Sequence, residues 1–484
     1  MQNIKTRFIS NIIFFCLIYA LMCYVVARAV CLVMTHDEAY SFYNVKHFWY
    51  VETLCTGNTH WFNFLAIKTA VLFGLEKASQ LRWFTVFSSG VFLTSAYFWI
   101  KSLKDMPIKF FAFALALLNP FLIDYLSLAR GYATGLMFES LAILCICIAI
   151  KNDKRKMASL SLFFAGMAAI ANFNFFYFFT AFSILYFYRY HLKQGLHFIK
   201  QKLFYIEWLY TLGIAWLVLR ALKFIALCSN DIGDYGGDTL VTSLFTGYID
   251  TLLYDQINPS TVTMDLFAYI LFTLLVSLSV YGVYASKKHK LVWYTLSSSV
   301  LLVIFVLLLI NKWSFNVLYP TYRTTLLFYP LIALIIIGFI SSIIIQKKIK
   351  AILLYTCSAL FFIHFIVTIN LHRSFDYSQQ IDSKLSFDYL KSIGAKKVGI
   401  DPFLYGVYRN YYQMTENYKY PFEGESLNTF LVLKDNYQSN KIAEYDYLVL
   451  YPPYKLDFYK QKGIHLKGMT YYKRSGTLVV RVIL

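Results

Sequence analysis

Long apolar runs separated by short polar segments fill most of the chain before residue 372. Hydrophobic residues make up 58% of all 484, and the mean hydropathy is +0.53. Soluble domains average about 45–50% apolar residues, whereas a helix needs about twenty apolar residues to cross a membrane core of ~30 Å. The sequence therefore predicts an α-helical polytopic membrane protein. About eleven transmembrane helices are expected by this measure, near residues 9–33, 82–100, 108–123, 132–150, 157–171, 174–188, 204–228, 264–285, 291–311, 324–345 and 351–371.

Basic and acidic residues divide the loops into two sets. The chain has 45 Lys and Arg against 26 Asp and Glu, a net charge of +19. The basic clusters occupy alternate loops, near residues 5–7, 101–109, 151–156, 189–202, 287–290 and 347–350. Short basic loops face the cytoplasm in membrane proteins, so topology explains the basic excess and no nucleic-acid partner is expected. The eight cysteines include no CxxC or Cys/His spacing, so neither a disulfide framework nor a structural zinc site is supported.

Two segments differ from the transmembrane pattern. The first outer loop, residues 34–81, contains apolar stretches at 40–50 and 60–75 that are too short to span, and we predict interfacial helices there. Residues 373–484 are polar and Tyr-rich, with one helical pattern and several strand-like runs. We therefore predict a transmembrane domain over 1–372 and a small α/β domain over 373–484, on the extracytoplasmic side. The expected strands are Lys397–Ile400, Leu427–Leu433, Tyr445–Tyr451, His465–Tyr472 and Thr477–Ile483, with a hairpin turn at Arg474-Ser475-Gly476.

The strongest candidate for chemistry is the adjacent carboxylate pair Asp37-Glu38, which follows directly on the first apolar run. Asp124, Arg130 and Arg323 lie at span ends on the same predicted side. Carboxylates can deprotonate a nucleophile or hold a divalent metal, and an arginine fork suits a phosphate group. Together these residues predict phosphate-ester chemistry at the membrane surface, on a phosphate attached to a lipid.

These residues resemble the GT-C superfamily, in particular its protein O-mannosyltransferase and aminoarabinose (lipid A) transferase branch. The likeness rests on Asp37-Glu38 after the first span, the interfacial helices, the Arg130-Gly131-Tyr132 turn and the late Tyr-Arg-x-x-Leu-x-x-Tyr-Pro segment around Arg323. It covers about residues 10–345. The resemblance implies an integral membrane glycosyltransferase that takes a sugar from a polyprenyl-phosphate donor, without a nucleotide cofactor. The acceptor, which is a lipid, glycan or protein, would be modified on the non-cytoplasmic face of a bacterial inner membrane.

The resemblance also implies roles for particular residues. Asp37 would be the catalytic carboxylate, with Glu38 as its neighbour, and Asp37 is also the candidate ligand if a divalent metal ion takes part. Arg323 would bind the donor phosphate, and substrate-binding roles are expected for Asp124, Arg130, Tyr132 and Arg82. Two motifs depart from the family pattern. His60-Trp61-Phe62 stands in place of His-Pro-Pro, and Gly131 replaces the proline of an Arg-Pro-Tyr turn.

Other interpretations remain open at this point. Asp37 and Glu38 could form a solvated helix end, and Arg82 and Arg130 could be anchors in the lipid headgroups. Glu139, about two turns into its span, should face the bundle interior as a cavity-lining or structural acid. A transporter or flippase of lipid-linked sugars is the alternative function, and it predicts buried mid-span charges and broken helices. An O-antigen ligase or polymerase is disfavoured because the 229–263 loop contains no arginine.

Overall fold

The computed structural model describes residues 2–47, 60–192, 202–228, 236–254, 260–284, 291–416, 430–432, 445–452 and 465–483. Its chain forms two compact units. The first comprises Met1–Val26, Leu54–Asn63 and Phe84–Ile369, and the second comprises Ala27–Thr53, Phe64–Trp83 and Asn370–Leu484. The second unit thus contains most of the first predicted outer loop together with the C-terminal segment.

The α-helices follow one another along almost the whole chain. In order they are α1 (Gln2–Cys31), α2 (His36–His47), α3 (Trp61–Leu72), α4 (Ala78–Leu81), α5 (Trp83–Ser102), α6 (Met106–Leu117), α7 (Pro120–Ser127), α8 (Gly131–Asn152), α9 (Arg155–Ala171), α10 (Phe176–Tyr190), α11 (Lys202–Cys228), α12 (Leu240–Leu253), α13 (Thr261–Tyr284), α14 (Val292–Phe315), α15 (Phe328–Ser342), α16 (Lys347–Thr368), α17 (Ser383–Ser392), α18 (Pro402–Val407) and α19 (Gln413–Thr415). Short 3₁₀ helices occur at Phe173–Phe175, Tyr322–Thr325 and Ser378–Gln380, and a π-helix at Tyr408–Tyr412.

Membrane-spanning character is confirmed for the helical part of the chain. Within the described residues, seven helices are long and apolar enough to cross a membrane, namely α1, α5, α8, α11, α13, α14 and α16. An eighth span would be the pair α6–α7, which bends by 58° at its break. The remaining predicted spans correspond to α9, α10 and α15, which have 17, 15 and 15 residues. Each predicted span therefore contains a helix, although three are shorter than about twenty residues.

Two of the shorter helices lie between the spans. The apolar helix α3 has 12 residues, which gives about 18 Å at 1.5 Å per residue and is too short to span. Helix α12 lies inside the segment 229–263, whose sequence predicts only a loop. It is apolar and has 14 residues.

The helices of the first unit pack closely where small side chains face one another. Helix α9 packs along α8, and its residues Ala165, Ala168 and Ala169 are buried. Small residues allow helix backbones to approach in a membrane. Gly166 allows α11 to approach α9 closely, since a Cβ at this position would lie 2.2 Å from the Tyr210 hydroxyl. Close packing of small residues therefore contributes to the core of this unit.

The second unit contains the sheet. Its strands are β1 (Val398–Ile400), β2 (Phe430–Val432), β3 (Tyr447–Leu450), β4 (His465–Tyr472) and β5 (Thr477–Ile483). They are ordered β2-β1-β3-β5-β4, with β1 parallel to both β2 and β3 and the other pairs antiparallel. All five strands fall within the predicted strand segments, and β4 and β5 form the predicted hairpin. The helices α18 and Tyr408–Tyr412 pack against α2 from the first outer loop.

Candidate functional site

Helix α2 begins with a reciprocal cap that involves Glu38. The Thr35 backbone N–H and hydroxyl both donate to Glu38 Oε2 at 3.0 Å, and the Glu38 N–H donates to Thr35 Oγ1 at 3.3 Å. This is a capping box, in which a Thr and a Glu three residues later satisfy each other's backbone donors. The cap fixes the chain direction immediately after the first membrane helix.

Arg82 forms a buried pair with the same carboxylate. Its Nε and Nη2 donate to Glu38 Oε1 and Oε2 at 2.8 and 2.7 Å, and the two side chains are 0% and 2% exposed. The guanidinium also donates to the carbonyls of Ala29, Leu32 and Val33, at 3.0, 2.8 and 2.8 Å. Ala29 lies in the last turn of α1, where carbonyls have no helical partner, and Leu32 and Val33 follow the end of the helix. Arg82 is therefore buried within the protein and is not a headgroup anchor.

Asp37 lies between this cap and the C-terminal segment. Its side chain is only 5% exposed, and Tyr377 donates its hydroxyl to Asp37 Oδ2 at 2.5 Å. The first turn of a helix also favours negative charge, because the backbone N–H groups point toward it. Asp37 is thus a buried carboxylate and not the solvated helix end that was the alternative interpretation.

The C-terminal segment contributes further contacts around this turn. The His36 N–H donates to Gln380 Oε1 at 2.8 Å, and Gly406 approaches so closely that a Cβ there would lie 2.3 Å from His36 Nδ1. Arg28, the charge near the end of the first apolar run, donates to the backbone carbonyls of Asn370 and Arg373 at 2.6 and 2.8 Å. Several contacts therefore join the first loop to the chain after residue 369.

Two tyrosines complete the surroundings of α2. Tyr411 packs edge-on against Phe42, with ring centroids 5.4 Å apart, and donates its hydroxyl to the Glu76 carbonyl at 3.0 Å. Burial raises the pKa of Tyr411 to about 12, and burial likewise raises the pKa of its neighbour Tyr412. Both phenols therefore stay protonated, as hydrogen-bond donors, at neutral pH.

In the first unit, Asp124 is buried within α7. Tyr254 donates its hydroxyl to both carboxylate oxygens of Asp124, each at 3.0 Å. Tyr254 follows α12 directly and has a left-handed backbone, with φ of 52°. A non-glycine residue in this region carries strain, and here that conformation accompanies the contact with Asp124.

The turn that begins α8 is held by the start of α3. Asn63 donates its side-chain N–H to the Ala129 carbonyl at 2.5 Å, and the rings of His60 and Tyr132 meet edge-on at 5.5 Å. A Cβ at Gly131 would lie 2.7 Å from the His60 ring and 2.2 Å from a backbone oxygen. The glycine is thus required by close packing. Arg130, next to it, is 1% exposed, so it too is buried in protein and is not a headgroup anchor.

Arg323 lies in the 3₁₀ helix Tyr322–Thr325 and is half-buried. Tyr322 has a left-handed backbone with φ of 45°, and its hydroxyl donates to Asp250 of α12 at 3.3 Å. Gly247 of α12 packs so closely that a Cβ would lie 2.8 Å from the Tyr322 nitrogen. Helix α12 therefore supports both the Arg323 turn and, through Tyr254, the Asp124 carboxylate. Gly247, which packs against the Arg323 turn, and Tyr254, which binds Asp124, are seven residues apart along the chain, a distance of about 10 Å in a helix.

The candidate residues thus fall into two groups. Asp37, Glu38 and Arg82 lie in the second unit, and the first unit contains the others, Asp124, Arg130, Tyr132 and Arg323. Tyr377, Gln380 and Tyr254 are contact residues that the sequence analysis did not select. None of them belongs to a recognisable motif, so only a spatial contact could identify them.

The described residues around Asp37, the candidate metal ligand, do not form a set of metal ligands. Among the residues that the structure describes, no group of three or more His, Cys, Asp or Glu side chains could hold a metal ion. A protein-built catalytic zinc site commonly supplies three such ligands, so the residues described around Asp37 do not fit one.

Glu139 is 0% exposed within α8, and both of its carboxylate oxygens have no hydrogen-bond partner among the described residues.

Comparisons with known proteins find similar chains among solved structures. No protein-family model and no curated protein matches the chain. Among solved structures, the chain is similar to the crystal structure of ArnT from Cupriavidus metallidurans in the apo state. The sequences are 12% identical, the match covers 97% of each chain, and the TM-score is 0.43.

Proposed function

We propose that the protein is an integral membrane glycosyltransferase that moves a sugar from a polyprenyl-phosphate donor to an acceptor hydroxyl on the non-cytoplasmic face. The observation that carries this proposal is the Asp37 carboxylate, which is buried at the first turn of the helix that follows the first apolar span. A carboxylate held in this way, beside the membrane, can remove a proton from a nucleophile that is presented at the lipid surface.

The proposed reaction is a single displacement. The acceptor oxygen attacks the anomeric carbon of the donor while its proton passes to a carboxylate oxygen of Asp37. The bond between the anomeric carbon and the phosphate oxygen breaks, and the bonding electrons leave with polyprenyl phosphate. Attack from the face opposite the leaving group inverts the anomeric configuration. The acceptor loses one proton, the sugar changes partner, and no oxidant or nucleotide is consumed.

Glu38 and Arg82 would act as positioning residues in this scheme. All the contacts of Arg82 described above lie within the protein, and Glu38 both caps α2 and binds Arg82. Together they hold the backbone on which Asp37 stands. Tyr377 donates to one Asp37 oxygen, which stabilises the ionised carboxylate.

The donor phosphate is assigned to Arg323, with support from Arg130. The left-handed backbone of Tyr322 and its packing against α12 set the direction of the Arg323 turn, and a guanidinium can bind two phosphate oxygens at once. Cationic groups on a leaving phosphate stabilise the charge that develops as the bond breaks. A divalent ion shared with the donor phosphate would need only one or two carboxylates, and Asp37 is the residue proposed to contact it.

The test is donor consumption by the purified full-length protein. The protein would be incubated with a panel of polyprenyl-phosphate sugars, each labelled in the lipid, and free polyprenyl phosphate would be measured. We expect release from one donor class in the presence of its acceptor. Loss of release in Arg323→Gln, with the exposed control Arg481→Gln unaffected, would support the donor-phosphate role. Absence of release from every donor and acceptor pair would contradict the proposal.

A transporter of lipid-linked sugars is the second candidate, and two observations favour it. The span formed by α6 and α7 is broken, with a 58° bend, and Glu139 is buried within α8. Broken helices and buried charges mark substrate paths in transporters. The same assay separates the two functions, because an enzyme liberates polyprenyl phosphate whereas a transporter returns the donor intact on the other side of the vesicle.

A further inference from the structure

A cavity of about 590 Å³ lies among five helices of the first unit, and none of its described lining residues is one of the candidate site residues. Its walls come from α5, α6, α8, α14 and α15. The volume falls within the range of about 300–1,000 Å³ that is typical of ligand pockets. Along α8 the lining extends from Ser140 to Lys151, eleven residues or about 16 Å of helix. The cavity is therefore long enough for a hydrocarbon chain.

The walls match a lipid chain and not a sugar. Most of the lining is aliphatic or aromatic, with Phe92, Leu117, Leu144, Ile148 and Leu334 as examples. A sugar would lose its hydrogen bonds to water in such surroundings without gaining enough new ones. No carboxylate occurs among the described lining residues, so a cation would not be favoured either.

Two of the polar groups in the lining, an ammonium and an indole N–H, can only donate hydrogen bonds. Lys151 is the charged residue among the described lining residues and is exposed at the end of α8. The indole N–H of Trp99 is buried and has no acceptor among the residues that the structure describes. An ammonium and an indole N–H both favour an anionic, oxygen-rich group. This end of α8 also leads into Lys154, Arg155 and Lys156, the type of basic loop that faces the anionic leaflet.

We propose that this cavity binds an acidic phospholipid, with one acyl chain among α5, α8 and α15 and the phosphate beside Lys151. The charge complementarity selects the headgroup, and the apolar depth selects the chain. Such a site lies at the basic end of the helices, whereas Arg130 stands at the opposite end of α8, 22 residues in length or about 33 Å away. The site is thus separate from the proposed donor-phosphate group, and its test does not depend on transferase activity.

The cavity contains its own optical probe. Trp99 and Trp293 both line it, with ring centroids 5.5 Å apart. The full-length protein would be placed in nanodiscs of phosphatidylcholine that contain increasing fractions of phosphatidylglycerol or phosphatidylcholine with brominated acyl chains. Bromine quenches tryptophan emission at contact. The chain has eight tryptophans, so the emission of this pair is obtained by subtracting that of the Trp99→Phe/Trp293→Phe variant.

For the wild-type pair, we expect brominated phosphatidylglycerol to reach half-quenching at a lipid fraction about fivefold lower than brominated phosphatidylcholine. This ratio corresponds to about 1 kcal/mol, the contribution of one basic side chain near an anionic lipid. The ratio should fall to about one in Lys151→Ala and persist in the matched control Lys154→Ala. Ser140→Phe, which fills the cavity, should abolish quenching of the pair, whereas Leu160→Phe on the exposed face of α9 should not.

Two results would overturn the proposal. Equal quenching of the wild-type pair by both brominated lipids would show that the cavity does not select an acidic headgroup. Relief of quenching by unlabelled polyprenyl phosphate at a lower fraction than unlabelled phosphatidylglycerol would assign the cavity to a polyprenyl lipid instead. Both comparisons use the wild-type protein, so they do not depend on the folding of any variant.

Discussion

The buried Glu38–Arg82 pair gives the sharpest prediction about stability. In Arg82→Leu, the Glu38 carboxylate loses two hydrogen bonds and the carbonyls of Ala29, Leu32 and Val33 lose their donor. Removing one partner of a buried ion pair costs about 3–5 kcal/mol, since it leaves an uncompensated buried charge. Because every 1.4 kcal/mol is tenfold in an equilibrium constant, local opening of α2 should become roughly 100- to 4,000-fold more frequent.

Hydrogen exchange measured by mass spectrometry on peptides that cover α2 reads this opening directly. The matched control is Lys46→Leu on the same helix, whose ion pair with Glu76 is 30% exposed on each side. Exposed pairs contribute about 0–1 kcal/mol, so the control should change exchange by less than about sixfold.

A double variant tests whether the buried charge is the cause. Replacing both partners by apolar side chains removes the uncompensated charge, so Glu38→Leu/Arg82→Leu should protect α2 better than Arg82→Leu alone. If Arg82→Leu exchanges no faster than Lys46→Leu, or if the double variant is the worst of the three, the positioning role assigned to this pair is wrong.

Three further predictions concern other contacts. Tyr254→Phe removes a hydrogen bond to the Asp124 carboxylate and should destabilise the first unit by about 1.5–3 kcal/mol, measured as faster exchange in α7 and α12. Gly247→Ala should displace the turn that carries Arg323, because the new Cβ would meet its backbone at 2.8 Å, and should raise the donor KM; Gly213→Ala, with open space around it, should not. In the second unit, burial opposes ionisation of Glu416, but hydrogen bonds from two lysines outweigh it and lower its pKa. The unfolded chain therefore binds the proton more readily, so this stabilisation is present above the ordinary value of 4.5 and is lost as pH falls through the folded-state pKa; Glu416→Gln should flatten the acid side of the unfolding curve.

The helices and strands could be predicted well because their causes are local. Bilayer thickness sets the length of apolar runs, and each predicted span contains a helix. Helix α12 was missed although its apolar residues recur at helical spacing, as Leu240, Leu244 and Tyr248 illustrate. The surrounding polar segment was interpreted as a loop. Its role in supporting the Arg323 turn therefore emerged only from the structure.

The candidate site could be predicted only in part. Position after the first span identified Asp37, and the Thr35-x-x-Glu38 spacing already contained a capping box that was not recognised. The hydrogen-bond partners of the two aspartates could not be predicted from the sequence, because Tyr377 is 340 residues from Asp37 and Tyr254 is 130 residues from Asp124. From the sequence, Gly131 is only a replacement for the proline of the turn, whereas close packing against His60 explains the glycine. Contacts between distant segments follow from the fold and leave no mark in local composition.

The central claim is that the Asp37 carboxylate takes the acceptor proton during sugar transfer. The most direct measurement is the rate of polyprenyl-phosphate release from the accepted donor by Asp37→Asn, compared with Asp388→Asn on the exposed side of α17. Loss of a general base lowers rates by about 10²–10⁴-fold, and we predict a loss of this size for Asp37→Asn with α2 exchange unchanged. Release at the wild-type rate by a correctly inserted Asp37→Asn protein would contradict the account.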